Sequence, residues 1–321
     1  MAVGGWTRAG AQEQRFFRIG TGPTGGTYFL IGGVLASVIS NPPGSRPCDR
    51  GGSCGVPGLV ALAQSTEGSV ANLEAMRSGA LDSGLCQADI ANWAFTGTNL
   101  FQKAGPYREL RAIAGLYPES IHVVVRADGP IKKFSDLKAK RVSVGERNSG
   151  TVVSARIALT AAGFKPNDIR AESMSPERAA DALREGVIDA FIFMVGYPSP
   201  AIATLAEQME IRLIDIPPPV IQSVRKQYGF FGQGPIPANT YKGVLEVETL
   251  TIGAQWLTAA SVDEQLVYGI CKALWHESTT KLLAESHPQG KLIVRTEALK
   301  GVTVPLHAGA EKYYRDVRLI E

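Results

Sequence analysis

Short apolar runs alternate with amphipathic stretches along most of the chain. Apolar residues cluster at 16–19, 59–63, 81–86, 110–116, 122–126, 141–144, 190–195 and 211–216, each of strand length. Between them, residues 26–39, 69–77, 88–95, 151–162, 175–184 and 201–208 place apolar side chains on one helical face, and 134–137 reads as a short helix. Gly79 and Gly163 stand just past two of these helices, and Ser175-Pro176 opens a third with a cap and a first-turn proline. Pro217-Pro-Pro219 closes the last run. Farther on, 250–254 reads as a strand, 262–283 as long helical material before the break at His287-Pro288, and 309–318 as a final amphipathic helix. Such alternation predicts an α/β fold of parallel sheets covered by helices. The layout predicts a discontinuous first lobe (15–120 and 240–321), a second lobe (121–239) inserted within it, and a disordered tail at 1–14.

Bulk properties narrow the function without naming it. At about 150 residues per domain, 321 residues give two lobes. A net charge of +3, with lysines and arginines dispersed, argues against a nucleic-acid partner. No apolar run reaches the roughly 18 residues of a membrane span. Met1 to Gln14 lack an apolar core; Ala9-Gly10-Ala11 fits a trimmed export signal and equally a cloning remnant. Cys48 and Cys54 flank a short Gly-rich loop. They would bridge in an oxidising compartment, contributing about 2 kcal/mol, or remain free thiols in a reducing one. Cys86 and Cys271 read as core residues. The spacing of histidines and cysteines predicts no metal site.

Two glycine-rich loops carry the chemistry. Gly20-Thr-Gly-Pro-Thr-Gly25 joins a strand to a helix, and Gly145-Glu-Arg-Asn-Ser-Gly-Thr151 does the same later. Helix starts leave backbone donors without intrahelical partners, and the helix dipole favours an anion there. The first loop matches G-x-G-x-x-G, yet no Asp or Glu lies between Thr21 and Cys48 to hold a ribose. A dinucleotide is therefore disfavoured, and no cofactor is expected. Thr24, Thr27 and Tyr28 add hydroxyl donors, and Ser149, Gly150 and Thr151 offer the same from the other lobe, although serine there also suits an ordinary cap. Gln64, Gln87 and Tyr197 follow strands at the sheet edge where α/β folds bind ligands; Asp89 would accept from a ligand amine or cap its helix.

Enzyme signals are weak. The chain has no G-x-S-x-G, and His122, His276, His287 and His307 stand apart from any evident nucleophile. Binding without turnover accounts better for the motifs. An enzyme acting on a small anion, or an exported sensor or adhesin, remains the alternative.

The chain resembles the TAXI family, the solute receptors of TRAP transporters, and is most similar to its immunogenic exported members. The resemblance rests on Gly20-Thr-Gly-Pro-Thr-Gly-Gly-Thr-Tyr28, Gly55-Val-Pro-Gly-Leu59, Gly68-Ser-Val-Ala-Asn72, Ser78-Gly-Ala-Leu-Asp82 and Gln87-Ala-Asp89. It continues through Leu116-Tyr-Pro-Glu119, Lys140-Arg-Val-Ser-Val144, Ser149-Gly-Thr151, Gly196-Tyr-Pro198, Ala254-Gln-Trp256, Leu274-Trp-His276 and Pro305-Leu-His-Ala-Gly309. It implies a type II periplasmic-binding-protein fold, with two α/β lobes, a ligand cleft and a two-segment hinge. It also implies a monomeric periplasmic receptor, its signal peptide missing from this chain, that delivers a glutamate-like amino acid or a dicarboxylate such as 2-oxoglutarate to an ion-driven TRAP permease. By motif, Thr24, Gly26, Thr27 and Tyr28 would cradle a carboxylate beside Gln87 and Asp89, with Ser149, Gly150, Thr151 and Tyr197 closing over it. Pro23, Ala88 and the longer Cys48–Cys54 loop depart from the family pattern.

Overall fold

The structure is a computed structural model in which residues 14–321 are described. The tail predicted at 1–14 lies, but for Gln14, outside the described residues. The chain opens with β1 (Arg15–Gly20), α1 (Thr27–Ile39), β2 (Ser40–Asn41), β3 (Val56–Pro57), β4 (Leu59–Gln64), α2 (Ser69–Arg77), β5 (Ser83–Gln87) and α3 (Ala88–Thr96). A long strand, β6 (Leu110–Arg126), leads into β7 (Arg141–Ser143), α4 (Gly150–Ala161), β8 (Arg170–Glu172), α5 (Pro176–Arg184), β9 (Ala190–Val195), α6 (Pro200–Gln208), β10 (Ile211–Leu213), α7 (Pro218–Gln227) and β11 (Phe231–Ile236). A second long strand, β12 (Val247–Ala259), precedes α8 (Glu264–Leu274), α9 (Glu277–Ser286) and α10 (Ala308–Asp316).

Ten of these strands join in a sheet ordered β4-β1-β5-β12-β6-β9-β7-β8, with β10 on β6 and β11 on β12, while β2 and β3 pair separately. At one end β1 runs parallel to β4 and β5; at the other β7 runs parallel to β8 and β9. The two long antiparallel strands link these halves. Leu110–Ser120 of β6 pairs with β12, while Ser120–Val125 pairs with β9. Likewise β12 pairs with β11 over Val247–Ile252 and with β5 over Ala254–Thr258. Two crossing segments between two parallel half-sheets give a two-lobed α/β architecture.

Each half has its own apolar interior. Ile31, Leu35, Trp256, Ile270 and Tyr314 pack together in the first half, and Leu73, Ile90 and Leu257 form a second cluster there. In the other half, Phe134, Val142, Ala155 and Ile192 form one core, and Leu183, Phe191, Ile202 and Tyr241 another.

Apart from the short strands β2, β3 and β8, which the apolar pattern does not predict, the elements depart from the sequence reading at four places. The two strands expected at 110–116 and 122–126 are one, because Pro118 sits opposite Gly253 beside a register shift that accommodates its missing N–H. The three prolines at 217–219 open a helix instead of only ending a strand, since the first helical turn needs no N–H. β11 was not anticipated, and helical material over 262–283 divides at His276, which caps α9 by accepting from the Ser278 amide. Among the described residues, no helix is long and apolar enough to cross a membrane.

Candidate functional site

The halves meet where several helices begin. α1 starts after the Gly22–Gly26 loop, α2 after Gly68, and α4 at Gly150. Gly68 has φ +110°, a backbone conformation that glycine adopts without steric cost. Around these starts lies a cavity of about 30 Å³, more than the roughly 10–15 Å³ that a single water needs and too small for an amino acid. Its walls include Gly26, Thr27, Tyr28, Gln87 and Glu119 from one half and Ser149, Gly150 and Thr151 from the other. Seven residues expected at the site (Gly26, Thr27, Tyr28, Gln87, Ser149, Gly150 and Thr151) thus line one pocket.

Their hydroxyls are largely engaged by the protein. Ser149 Oγ accepts from the Val152 amide at 3.1 Å and donates to the Glu146 carbonyl at 2.7 Å, so the side chain is a helix cap. Thr151 Oγ1 accepts from the Met194 amide. Thr27 Oγ1 accepts from Gly196 N across the lobe boundary and from Tyr117 Oη, each at 3.2 Å. What α4 presents to the cavity is therefore its first-turn backbone.

Four expected residues stand apart from this cavity. Thr24 donates its hydroxyl to Glu177 Oε1 at 2.7 Å, and the Gly25 amide donates to the same oxygen. A carboxylate from α5 in the opposite lobe thus holds the loop that a ligand carboxylate was expected to hold. Gln64 has an exposed side chain, and its carbonyl accepts from Thr21 N and Oγ1. Asp89 is fully buried; Oδ1 accepts from the Ile90 amide at 2.8 Å inside the first turn of α3, whose cap position is Gln87 and not Asp89, while Oδ2 has no partner. Tyr197 faces a larger cavity of about 720 Å³ bounded by the crossing strands at Pro118 and Gly253.

The sequence reading missed Glu119. It is the one acidic residue of β6, 2% exposed, at the point where that strand passes between the halves. Tyr28 Oη donates to its Oε2 at 2.8 Å. Burial pushes its carboxyl up to about 8; hydrogen bonds from Tyr28 and Gln87 oppose the rise and nearby Asp89 adds to it. The signal was an acid inside a long apolar strand, where burial without purpose is costly. Asp89 rises to about 7, again through burial, and half-buried Glu146 to about 7 through burial and the charges of Glu67 and Glu177. Gln87 Oε1 is buried without a partner.

Further bonds close the halves on one another. Ala71 N donates to the Asn148 carbonyl at 2.9 Å, and Asn148 N to Glu67 Oε2 at 2.8 Å. Ser199 Oγ and Ala201 N both donate to the Gly25 carbonyl. On the surface of the first half, Cys48 and Cys54 are joined in a disulfide, and Cys48 Sγ lies 3.9 Å from His276 Nε2.

The architecture has solved counterparts. The chain is similar to the alkanesulfonate-binding protein SsuA from Xanthomonas axonopodis pv. citri bound to MOPS, with TM-score 0.50 and 17% identity over 95% of this chain and 85% of that one. A Bordetella bronchiseptica RB50 protein gives TM-score 0.53 and 16% identity over 95% and 89%. The ligand-binding component of an ABC-type import system from Staphylococcus aureus, with zinc bound, gives 0.51 and 10% over 96% and 93%. These likenesses establish the fold. The model of the NMT1-like family matches residues 19–317, essentially all of the described sheet and helices, and the chain belongs to that family.

Proposed function

We propose that this protein is an extracytoplasmic solute-binding receptor that clamps a small carboxylate between two lobes and delivers it to a membrane permease. The observation that carries this reading is the shared pocket lined by Gly26, Thr27 and Gln87 on one side and Gly150 and Thr151 on the other. Helix starts from both halves line it, beside the two strands about which the halves can turn. A solute of amino-acid size exceeds this space, so it is admitted as the lobes part, and it favours closure by whatever affinity it has in excess for the closed form. Each charge-assisted hydrogen bond gained on closing contributes about 1.5–3 kcal/mol.

The crossing strands support a lobe division at 15–120 with 240–321 and at 121–239. The Cys48–Cys54 disulfide favours an oxidising, extracytoplasmic setting. Within the NMT1-like family we assign the chain to the TAXI receptors, with TRAP permease subunits as its membrane partner, on the motifs that run from Gly20 to Gly309.

A thermal-shift screen tests the reading. The panel is amino acids, 2-oxo acids, dicarboxylates and an alkanesulfonate. A carboxylate present at about 100 times its Kd should raise Tm by roughly 5 °C. No shift with any carboxylate, or a shift with the sulfonate alone, would overturn it.

A further inference from the structure

We infer that Glu119 and Gln87 form an acceptor site for the ammonium group of an α-amino acid whose carboxylate rests on the first-turn amides of α4. This rests on the receptor reading above and narrows its ligand class.

The cavity is chemically lopsided. Its walls hold two carboxylates, Glu119 and Glu67, and no lysine, arginine or histidine. A dicarboxylate would bring a second negative charge beside Glu67 into a wall that offers no cation to offset it. An ammonium supplies donors where acceptors lack them. Gln87 is 2% exposed with Oε1 unpartnered, and Glu119 is held in place by the Tyr28 hydroxyl. The Gln87 backbone is fixed in turn by its amide's bond to Ser69 Oγ at 3.1 Å.

The acceptor and the amide-rich helix start are immediate neighbours. A Cβ built on Gly150 would fall 2.1 Å from Gln87 Oε1, so any side chain there would push the Gln87 amide out of its place. An α-amino acid carries its ammonium and carboxylate on one carbon, which matches adjacent sites. A ligand gripped at two distant ends does not match them.

Protonation gives a second handle. Burial holds the Glu119 carboxyl largely protonated at neutral pH, among Tyr28 of α1, Cys86 and Asp89 at the β5–α3 junction, and Tyr117 of its own strand. An ammonium against Glu119 favours the carboxylate and expels that proton, whereas an anion keeps it bound.

Calorimetry with matched pairs tests the inference: L-alanine and pyruvate, L-leucine and 4-methyl-2-oxopentanoate, L-glutamate and 2-oxoglutarate. Titrations at pH 7 in two buffers of different ionisation enthalpy count the protons exchanged. At least one amino acid should bind tenfold or more tightly than its oxo partner, releasing up to about 0.9 proton for a carboxyl near 8. Glu119→Gln should erase the discrimination between partners; should that variant misfold, proton release by the unaltered protein decides. Oxo acids binding as tightly as their amino partners, or proton uptake with an amino acid, overturn this inference and leave the receptor reading standing. No binding by any of the six overturns this inference, and the receptor reading is then decided by the wider carboxylate panel above.

Discussion

Glu177 sits where a ligand carboxylate was expected, and replacing it tests whether the closed state is partly self-stabilised. The residue lies in the first turn of α5, behind the Ser175 cap. It crosses to the other lobe to accept from Thr24 Oγ1 and the Gly25 amide. Burial works to raise its carboxyl, but bonds from Thr24, its own amide, Ser175 and Gly25 together hold it below the usual range. It is therefore ionised at neutral pH. The sign follows: this contribution is present above the ordinary carboxylate value and is lost only as pH falls through the depressed one. Two charge-assisted bonds at a half-buried site, discounted for solvent, give about 1–2 kcal/mol toward closure. Glu177→Gln should then lower the closed-to-open ratio roughly 5- to 30-fold in ligand-free protein. Labels placed through Lys103→Cys and Lys165→Cys, exposed positions in opposite halves, report the lobe separation by electron–electron resonance or single-molecule transfer. The variant should show a larger separated population. An unchanged distance distribution would refute the latch.

Two further outcomes follow from buried polar groups. Glu119, Asp89 and Glu146, with carboxyls raised to about 8, 7 and 7, retain protons that the unfolded chain releases at lower pH. Their effect is to lower stability as pH rises toward 8. His122, lowered to about 4, and His287 and His307, also lowered, act in the opposite sense only below about pH 6.5. Tm should therefore fall between about pH 6.5 and 8, less steeply in Glu119→Gln; a rise across that window would contradict the assignment. Separately, fully buried Asn72 donates to the Thr21 and Leu85 carbonyls at 2.7 and 2.8 Å and accepts from Thr66 Oγ1. Asn72→Ala strands those groups and should cost about 3 kcal/mol in urea unfolding; a loss under about 1 kcal/mol would show that the loop re-pairs.

The local grammar of this fold is readable because it repeats. Ser149 and Ser175 do cap their helices, and the apolar runs at 59–63 and 190–195 are strands. Errors arose where one residue type serves two purposes. Proline reads as a breaker, yet Pro118 lies within β6 opposite a glycine, and Pro218 and Pro219 start α7. The Phe-Gly-Gln-Gly-Pro-Ile stretch carries too little strand propensity to declare β11, whose pairing is set by β12. At the site, helix starts were legible because a start is local. Glu177 was not, because an acid in a first turn satisfies the helix dipole anyway and nothing nearby in sequence points to Gly25.

That contact changes how the cleft is understood. Two amide-rich loops, one per lobe, suggest a solute gripped at both ends with each loop taking a charge. Here the Gly20–Gly25 loop already has a carboxylate partner in Glu177, so its donors hold lobe to lobe. The recognition chemistry left to the proposed site is compact: α4's first turn, the Ser69 and Gln87 corner, and Glu119, all of which line the pocket. Closure and selection then fall to different residues. On the proposed reading, affinity for the closed form is shared between Glu177 and the ligand, whereas discrimination among ligands is carried by Glu119 and Gln87. A substitution at Glu177 should weaken all ligands by a common factor, and one at Glu119 should change their ranking. The same rank order in both variants would mean that the two roles are not separable.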